Sequence, residues 1–580
     1  MSKEQHARVH ARVHTRCGAC GLLFHETDLL HSFVRRGSGF TDHGPSKFFG
    51  DHYGISCDDV RFCAFVDCLE PHSESSMVHT DCLESYISCG LGDKLCWLRA
   101  AATWRSPWCG ASPLNVPPRI NFDRRLADLD LTDRVTSMPQ ELYDMIRDFS
   151  LSTDPMPNYS LHHYDQVVAA SSLFREYVRE EPLNRIESWN RGEPPEVRHG
   201  PDKPFIRLSI DWRGLRSIER LAVLPPAVNL RSDYAGYVVE EAERLSNVVV
   251  KFQLDLATLS GVTGGFRVWD TPCPPPVDDN VDHDPSSMYY ETCSMYYDTS
   301  SMRHLGTIGT EAGSLTGMTF FYGYGSLLAV HVHTPAQPSA KDTFLNVTPH
   351  RQDTLIWIYV PIQKGIAEFA FSKAEHIPGH YGKRQQLLLH LEDVGDVFVG
   401  PYDLRTSKFM LIKQPQTLVY RRFDVSPIYF CDAFSRTHKL KEVCPPPNRA
   451  ISGPSWQDFM YFSSAHLENA VVIRVFTVPL KKLCRGLLIE YEDGIKRALG
   501  QCRLGVDPVQ KYMGMSKLCF KNVKHLKRGS KRVQVEGVIV ECHSENDHTH
   551  QDLGWTCCNM SGCLKLWFVD EETRIQYSDT

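Results

Sequence analysis

Cys17 and Cys20 bracket Gly18-Ala19 and are followed by Gly21. A Cys-x2-Cys turn of this kind lets two sulfurs meet one cation from a tight bend. His79 and Cys82 offer a second pair at the same spacing, and Cys63 with Cys68 offers a third, with Cys57 close by. Zinc in a structural role takes four such ligands in a tetrahedron. A cross-braced module would join Cys17/Cys20 with Cys63/Cys68 in one site. The intervening cysteines, with His72 or Cys89, would then make another. The competing reading is a set of ordinary buried thiols. It weighs most for Cys57, Cys89 and Cys96, which would pack on a helix starting near Leu83. Cys109 is set aside. The expectation is structural Zn2+, with Cys17, Cys20, His79, Cys82, Cys63 and Cys68 as its ligands.

Other residue types that could do chemistry do not assemble into a reaction. His331-x-His333 would face one side of a strand, which is metal-capable geometry, but with no third ligand in view a surface strand is expected. His543, His548 and His550 fall in a polar, loop-like stretch, and solvated rings are expected there. Cys557-Cys558 and Cys563 look like a further knuckle without partners at zinc spacing, so core or strand thiols are expected. Gly261-Val-Thr-Gly-Gly265 lacks the P-loop pattern and its Lys. No nucleophile elbow, dinucleotide fingerprint or zinc-protease motif stands in a sensible context. The expectation is therefore no catalytic residue, no organic cofactor and no enzyme.

The elements that must position the cysteines follow from composition and periodicity. The chain has 580 residues, 42% of them hydrophobic and 23% charged, ordinary for globular domains. Its net charge of −7 is no footprint for nucleic acid, and the basic run Lys521 to Arg532 reads as a solvated hairpin loop. The first sixteen residues lack the apolar core of a secretory signal. No stretch reaches the ~18 apolar residues of a membrane helix. An intracellular place, cytoplasmic or nuclear, is expected, where thiols stay reduced and available to metal.

Nine of the 20 cysteines lie from Cys17 to Cys109 and none between Cys109 and Cys273, which sets a first boundary. Residues 1–115 read as a Cys/His zinc-binding module and 116–200 as a helical segment. Within the latter, Leu142, Met145, Ile146 and Phe149 recur at helical spacing, Ser137 is placed to cap, and a second helix would cover Tyr164 to Arg179. Residues 201–271 hold the first β strands, beginning with the alternation of Phe205-Ile-Arg-Leu-Ser-Ile-Asp211. Residues 272–301 form a Pro-rich acidic linker, and 302–580 a β-rich domain. There Gly317-x4-Tyr322-x2-Gly325 and Gly486-x4-Tyr491-x2-Gly494 make a weak internal repeat of strands running into glycine turns. The fold class expected is multi-domain α+β: a small zinc-stapled N-terminal module, a short helical segment, and a large, mainly antiparallel β C-terminal region, sandwich or prism-like.

The stretch Thr136-Ser-Met138-Pro139-Gln-Glu141-Leu142-Tyr-Asp-Met-Ile146 resembles the opening helix of an F-box, with Met138 where that pattern has Leu. The whole chain resembles a set of fungal F-box-like proteins. The likeness rests on Cys17-x2-Cys20-Gly21, His79-x2-Cys82, Glu187-Ser-Trp189-Asn-Arg191-Gly192, Arg207-x3-Asp211-x2-Gly214-x3-Ile218-Glu219-Arg220 and Gly494-x5-Gly500-Gln-Cys-Arg-x-Gly505. It implies a helix face of Leu142, Ile146 and Phe149 docking on a Skp1-type adaptor of a ubiquitin ligase. A plain amphipathic helix packed on its own core is the competing reading. The glycine-turned strands also resemble jacalin-type sugar-binding prisms.

The function expected is a non-enzymatic adaptor or interaction protein, with a protein partner and no nucleic acid or membrane. One alternative is a carbohydrate-binding, lectin-like β-domain that takes a glycan through aromatics such as Trp555 and Trp567. The other is an unrecognised enzyme.

Overall fold

Along the strand Phe205–Asp211, Ile206, Leu208 and Ile210 are buried while the residues between them stay half-buried. Period-two alternation with one covered face is what this segment's sequence demands. The computed structural model describes residues 9–108, 114, 178–275 and 303–579, apart from 26, 37–38, 49–55, 58–59, 64–72, 88–94, 199–202, 226–231, 233, 254–255, 262–266, 312, 314, 348, 373, 377–382, 403–407, 423–427, 444–458, 480, 527–532, 545–547 and 551–552. By contact density the chain divides into two compact units: Met1–Pro274 with Ser287–Leu305, and Pro275–Ser286 with Gly306–Thr580. Strands dominate both, and the described helices are short.

In the first unit, the module that carries Cys17 is itself largely β. Leu29–Arg36 lies between Gly39–Lys47 and Ser75–His79 in an antiparallel sheet. Val9–Arg12 pairs parallel with Val60–Cys63. Helices Thr80–Tyr86 and Leu95–Trp104 complete it. Phe24, Leu30, Phe33, Val34, Val78 and Tyr86 build its core together with Cys17 and Cys20. At roughly 1.5–3 kcal/mol per fully buried large apolar side chain, such a cluster gives a module of this size a modest but real core.

Beyond it, Ile186–Asn190, Gly214–Leu221, Phe205–Asp211 and Ala235–Glu241 follow one another in a sheet. Trp189, Ile218, Leu208 and Val238 stand opposite one another across these four strands, each at most 2% exposed. This row of cross-strand contacts sets the register, because a one-residue slip would turn every member to the other face. It also corrects the expected helical segment 116–200 at its C-terminal end. Arg179–Pro182 and Ile186–Asn190 are strands, drawn into β structure because Leu183, Ile186 and Trp189 find their buried partners there. The helix from Pro139, with Leu142, Met145, Ile146 and Phe149, lies outside the described residues. So do residues 276–301 of the expected linker 272–301 and most of the second expected helix.

In the second unit the strand pairs from Gly317 onward are antiparallel. Gly317–Gly323 is buried along its whole length between Ser326–His333 and Ile356–Pro361. Its hairpin turns at Tyr324 and Gly325, with φ of +48° and +79°. Two consecutive positive φ values are what a two-residue type I′ turn needs. The second hairpin of the repeat, between Cys484–Tyr491 and Lys496–Gly500, closes at Gly494 with φ of +81°.

His331 and His333 do not lie on a surface strand. They are 7% and 2% exposed. His333 Nε2 is 2.7 Å from Thr319 Oγ1 and its Nδ1 is 2.9 Å from the Pro338 carbonyl; His331 Nδ1 is 2.8 Å from Thr343 Oγ1. These partners let imidazoles sit in a core without a metal. Trp567 is also buried, packed against Phe462 and Tyr402 at ring separations of 4.7 and 5.2 Å. It sits on the face of Cys563–Phe568 opposite the core residues Leu564, Leu566 and Phe568, where Phe462 and Tyr402 cover it, and no ring face is open to a sugar.

Candidate metal centres

The turn that holds Cys17 and Cys20 is closed by its own backbone. Gly21 N–H donates to the Cys17 carbonyl and Cys17 N–H to the Leu22 carbonyl, at 2.7 and 2.9 Å. Gly21 takes φ of +75°, which costs a glycine little. Gly18 donates to the Met77 carbonyl at 2.6 Å, and a Cβ at Gly18 would stand 2.9 Å from Ala102 Cβ. The knuckle therefore lies against strand Ser75–His79 and helix Leu95–Trp104, and only a glycine fits between.

That strand runs directly into helix Thr80–Tyr86. His79 ends the strand and Cys82 sits in the first helical turn, so both face the knuckle. Cys17 Sγ is 3.9 Å from Cys82 Sγ, and His79 Nδ1 is 3.4 Å from Cys20 Sγ and 3.8 Å from Cys82 Sγ. All four ligand atoms lie within 4.8 Å of one another. With zinc–sulfur bonds near 2.3 Å and zinc–nitrogen bonds near 2.0–2.1 Å, the edges of a tetrahedron are about 3.8 Å between sulfurs and about 3.5 Å between sulfur and nitrogen. The observed edges match to a few tenths of an ångström. Backbone N–H groups of Cys20 and His79 each point at Cys17 Sγ at 3.4 Å, an arrangement that favours thiolate.

The electrostatics agree. Burial pushes the Cys17 thiol up, yet hydrogen bonds from Cys20 and Cys82 and the charge of His79 bring it well below the usual thiol range. Burial and Cys17 raise Cys20, and hydrogen bonding with Cys17 and Cys20 raises Cys82. Burial pulls His79 down, but the Cys17 thiolate and Asp28 lift it above its ordinary value. A pocket that ionises one thiol and wants a cation beside it suits a metal. On the far side of the ring, His79 Nε2 lies 3.3 Å from Asp28 Oδ2. The same oxygen accepts the His25 N–H at 2.7 Å, which holds the carboxylate in place. Arg105 is 5% exposed, with its guanidinium 5.4 Å from the Trp212 ring. Burial lowers its pKa to about 10, helped by the neighbouring Arg213 cation and opposed by the Cys17, Cys20 and Cys82 sulfurs. A buried cation within electrostatic range of these sulfurs would offset the −1 of three thiolates around a divalent ion.

Of the expected ligands, the structure thus brings Cys17, Cys20, His79 and Cys82 together. The cross-brace of Cys17/Cys20 with Cys63/Cys68 is not the pairing it shows. Cys63 ends Val60–Cys63 in a different sheet, where its carbonyl receives the Val13 N–H. The Gly18–Met77 bond instead docks the knuckle beside His79. Cys68, His72, Cys89 and Cys109 lie outside the described residues, as do the side chains of Cys57 and Cys96.

A second cluster stands in the other unit. Cys519 Sγ is 3.0 Å from His548 Nε2, and Cys557 Sγ is 3.4 Å from His548 Nε2 and 3.3 Å from His550 Nε2. These four residues also form a set able to hold a metal ion, and Glu541, His543 and His550 form an overlapping one. Burial and the neighbouring rings of His548 and His543 lower His550, which keeps it neutral as a ligand must be. Comparison with family models, with curated proteins and with solved structures finds no match for this chain. The case for both centres therefore rests on their own geometry.

The expectation of solvated rings at His548 and His550 is corrected by this cluster, in which both are half-buried against sulfur; Cys557 is, as expected, a strand thiol. Cys519 was not singled out at all. The available signal was His548-x-His550-x6-Cys557. Its missing fourth member lies 29 residues before His548, on a strand that pairs directly with Cys557, and spacing alone does not reveal a cross-strand neighbour.

Proposed function

We propose that Cys17, Cys20, His79 and Cys82 hold a structural zinc ion, and that the protein is a zinc-stapled, non-enzymatic binding protein. One observation carries this reading: four ligand atoms from two separated segments close on one point, with a carboxylate behind the imidazole. Three sulfurs and one nitrogen select zinc over hard cations such as Mg2+ or Ca2+. Four protein ligands leave no open position for a reacting water, so the ion supplies folding energy. Free thiols of this kind fit a reducing compartment, cytoplasm or nucleus. No helix among the described residues is long and apolar enough to cross a membrane.

Within this reading the protein is an adaptor. Its most specific form is an F-box-like recruiter in which Leu142, Ile146 and Phe149 dock on a Skp1-type adaptor; that form rests on the sequence resemblance alone. The sugar-binding alternative keeps its glycine-turned hairpins but loses Trp567 as a platform, and Trp555 is stacked on His550 at 4.3 Å.

The deciding experiment is the zinc content of the full chain beside Cys17→Ser and Cys82→Ser. Each variant is expected to lose the same single ion. Retention of that ion in both variants overturns the site. Absence of a Skp1-type protein from a pull-down removes the recruiter form only.

A further inference from the structure

Cys519, Glu541 and Cys557 form a row across three antiparallel strands. Lys517–Leu526 pairs Cys519 with Glu541 of Gln534–His543 on one side and with Cys557 of Thr556–Asn559 on the other. Residues directly opposite one another share a face. His548 and His550, from the connection that follows His543, meet the two sulfurs of that row at 3.0–3.4 Å. Ordering a connection of this kind costs about 1–2 kcal/mol per residue. Among the described residues of the connection apolar burial does not offset it: His548, His550 and Trp555 are only half-buried and Leu553 is 93% exposed. Thiols are weak hydrogen-bonding groups, so sulfur–imidazole contacts alone are a poor tether.

We propose that Cys519, His548, His550 and Cys557 form a second, solvent-facing zinc site, which tethers this connection to the sheet and exchanges its ion with the medium. The observed sulfur–nitrogen edges of 3.0, 3.4 and 3.3 Å fit a zinc tetrahedron, whose corresponding edge is about 3.5 Å. The surroundings are those of a built site. Glu541 Oε2 lies 3.8 Å from His550 Nδ1, too far for a hydrogen bond but a negative charge beside the ring nitrogen that does not face the sulfurs. Trp555 stacks on His550 at 4.3 Å with planes 8° apart, and His543 stacks on His548 at 4.2 Å. Two sulfurs and two imidazoles select zinc among the abundant divalent ions. Exchange follows from access. Cys519 is fully buried at the base, but Cys557 is exposed at the rim, whereas Cys17 and Cys20 of the N-terminal cluster are both 0% exposed.

The test uses the full chain loaded with zinc, freed of loose metal and then mixed with EDTA. Two ions per chain are expected, one leaving much faster than the other. Cys557→Ser is expected to lower the content to one ion and abolish the fast phase, while Cys431→Ser, at a thiol outside both clusters, changes neither. Unchanged content and release in Cys557→Ser overturn the proposal. Should Cys557→Ser misfold by circular dichroism, His550→Gln is read in the same way. Cobalt(II) titration is a further arm: thiolate-to-cobalt bands that saturate at the same number of equivalents in Cys557→Ser as in the unsubstituted chain overturn the site. The two centres fail separately. An ion lost only in Cys82→Ser leaves the N-terminal site standing and removes this one, and an ion lost only in Cys557→Ser does the reverse.

Discussion

His79 and Asp28 are linked through the imidazole Nε2, 3.3 Å from Asp28 Oδ2, while the opposite nitrogen of the same ring faces the sulfurs of Cys20 and Cys82. The carboxylate therefore fixes which nitrogen carries the proton and which is left to bind. Asp28→Asn keeps the shape but removes the charge. Its zinc affinity is expected to fall by about 10–100-fold, read by competition with a chromophoric chelator. An affinity equal to that of the unsubstituted chain would show that Asp28 does not orient the ligand.

Metal removal should unfold the N-terminal module rather than merely loosen it. Cys17 and Cys20 belong to the same core as Phe24, Val78 and Leu83, so loss of a shared cation opens that core. Structural zinc is worth about 10–16 kcal/mol in small metal-folded domains. EDTA is expected to make the residue 9–108 region rapidly cleavable by protease, and added zinc to restore its resistance. Resistance that persists under chelation would place the folding energy elsewhere.

Arg105 is a prediction of opposite charge. Arg105 is buried and feels the charge of the three sulfurs, so Arg105→Met is expected to remove a favourable field at the proposed metal–thiolate centre. A loss of about 1 kcal/mol or more is expected in urea denaturation of the zinc-loaded chain. A loss well under 1 kcal/mol would mean that solvent screens the centre.

His333 makes stability depend on pH. Burial lowers its pKa to about 4, opposed by the Pro338 carbonyl and aided by His331; Thr319 and Tyr359 are its other near neighbours. The unfolded chain binds a proton near pH 6.5 that the folded chain refuses until about pH 4. Stability from this group is thus complete above about 6.5 and is lost as pH falls toward 4, with a slope of at most about 1.4 kcal/mol per pH unit. His333→Gln is expected to flatten that part of the profile in denaturant titrations between pH 7 and pH 4.5. An unchanged slope would assign the acid sensitivity to other groups.

Much of the β architecture was legible from residue order. The alternation of Phe205–Asp211 and the glycine-turned hairpins at Gly325 and Gly494 are local patterns, and local patterns are what side-chain periodicity and positive φ encode. The segment 178–198 was not, because its strands are chosen by distant partners: Trp189 is held by Ile218, some thirty residues on. His331 and His333 read as surface groups because their partners come from elsewhere in the fold: Thr343 for His331, and Thr319 of a neighbouring strand with the Pro338 carbonyl for His333.

The chain's own order determined that soft ligands cluster early, that Cys17/Cys20 and His79/Cys82 each have the spacing of a ligand pair, and that much of the second half is strand. Only the tertiary structure decided which pairs meet. The Gly18–Met77 hydrogen bond docks the first knuckle on His79 rather than on Cys63, and strand pairing sets Cys519 beside Cys557. Spacing records how far apart two ligands are along the backbone. Coordination depends on where sheet register and close packing bring them in space, and those are properties of pairs that the linear order leaves open.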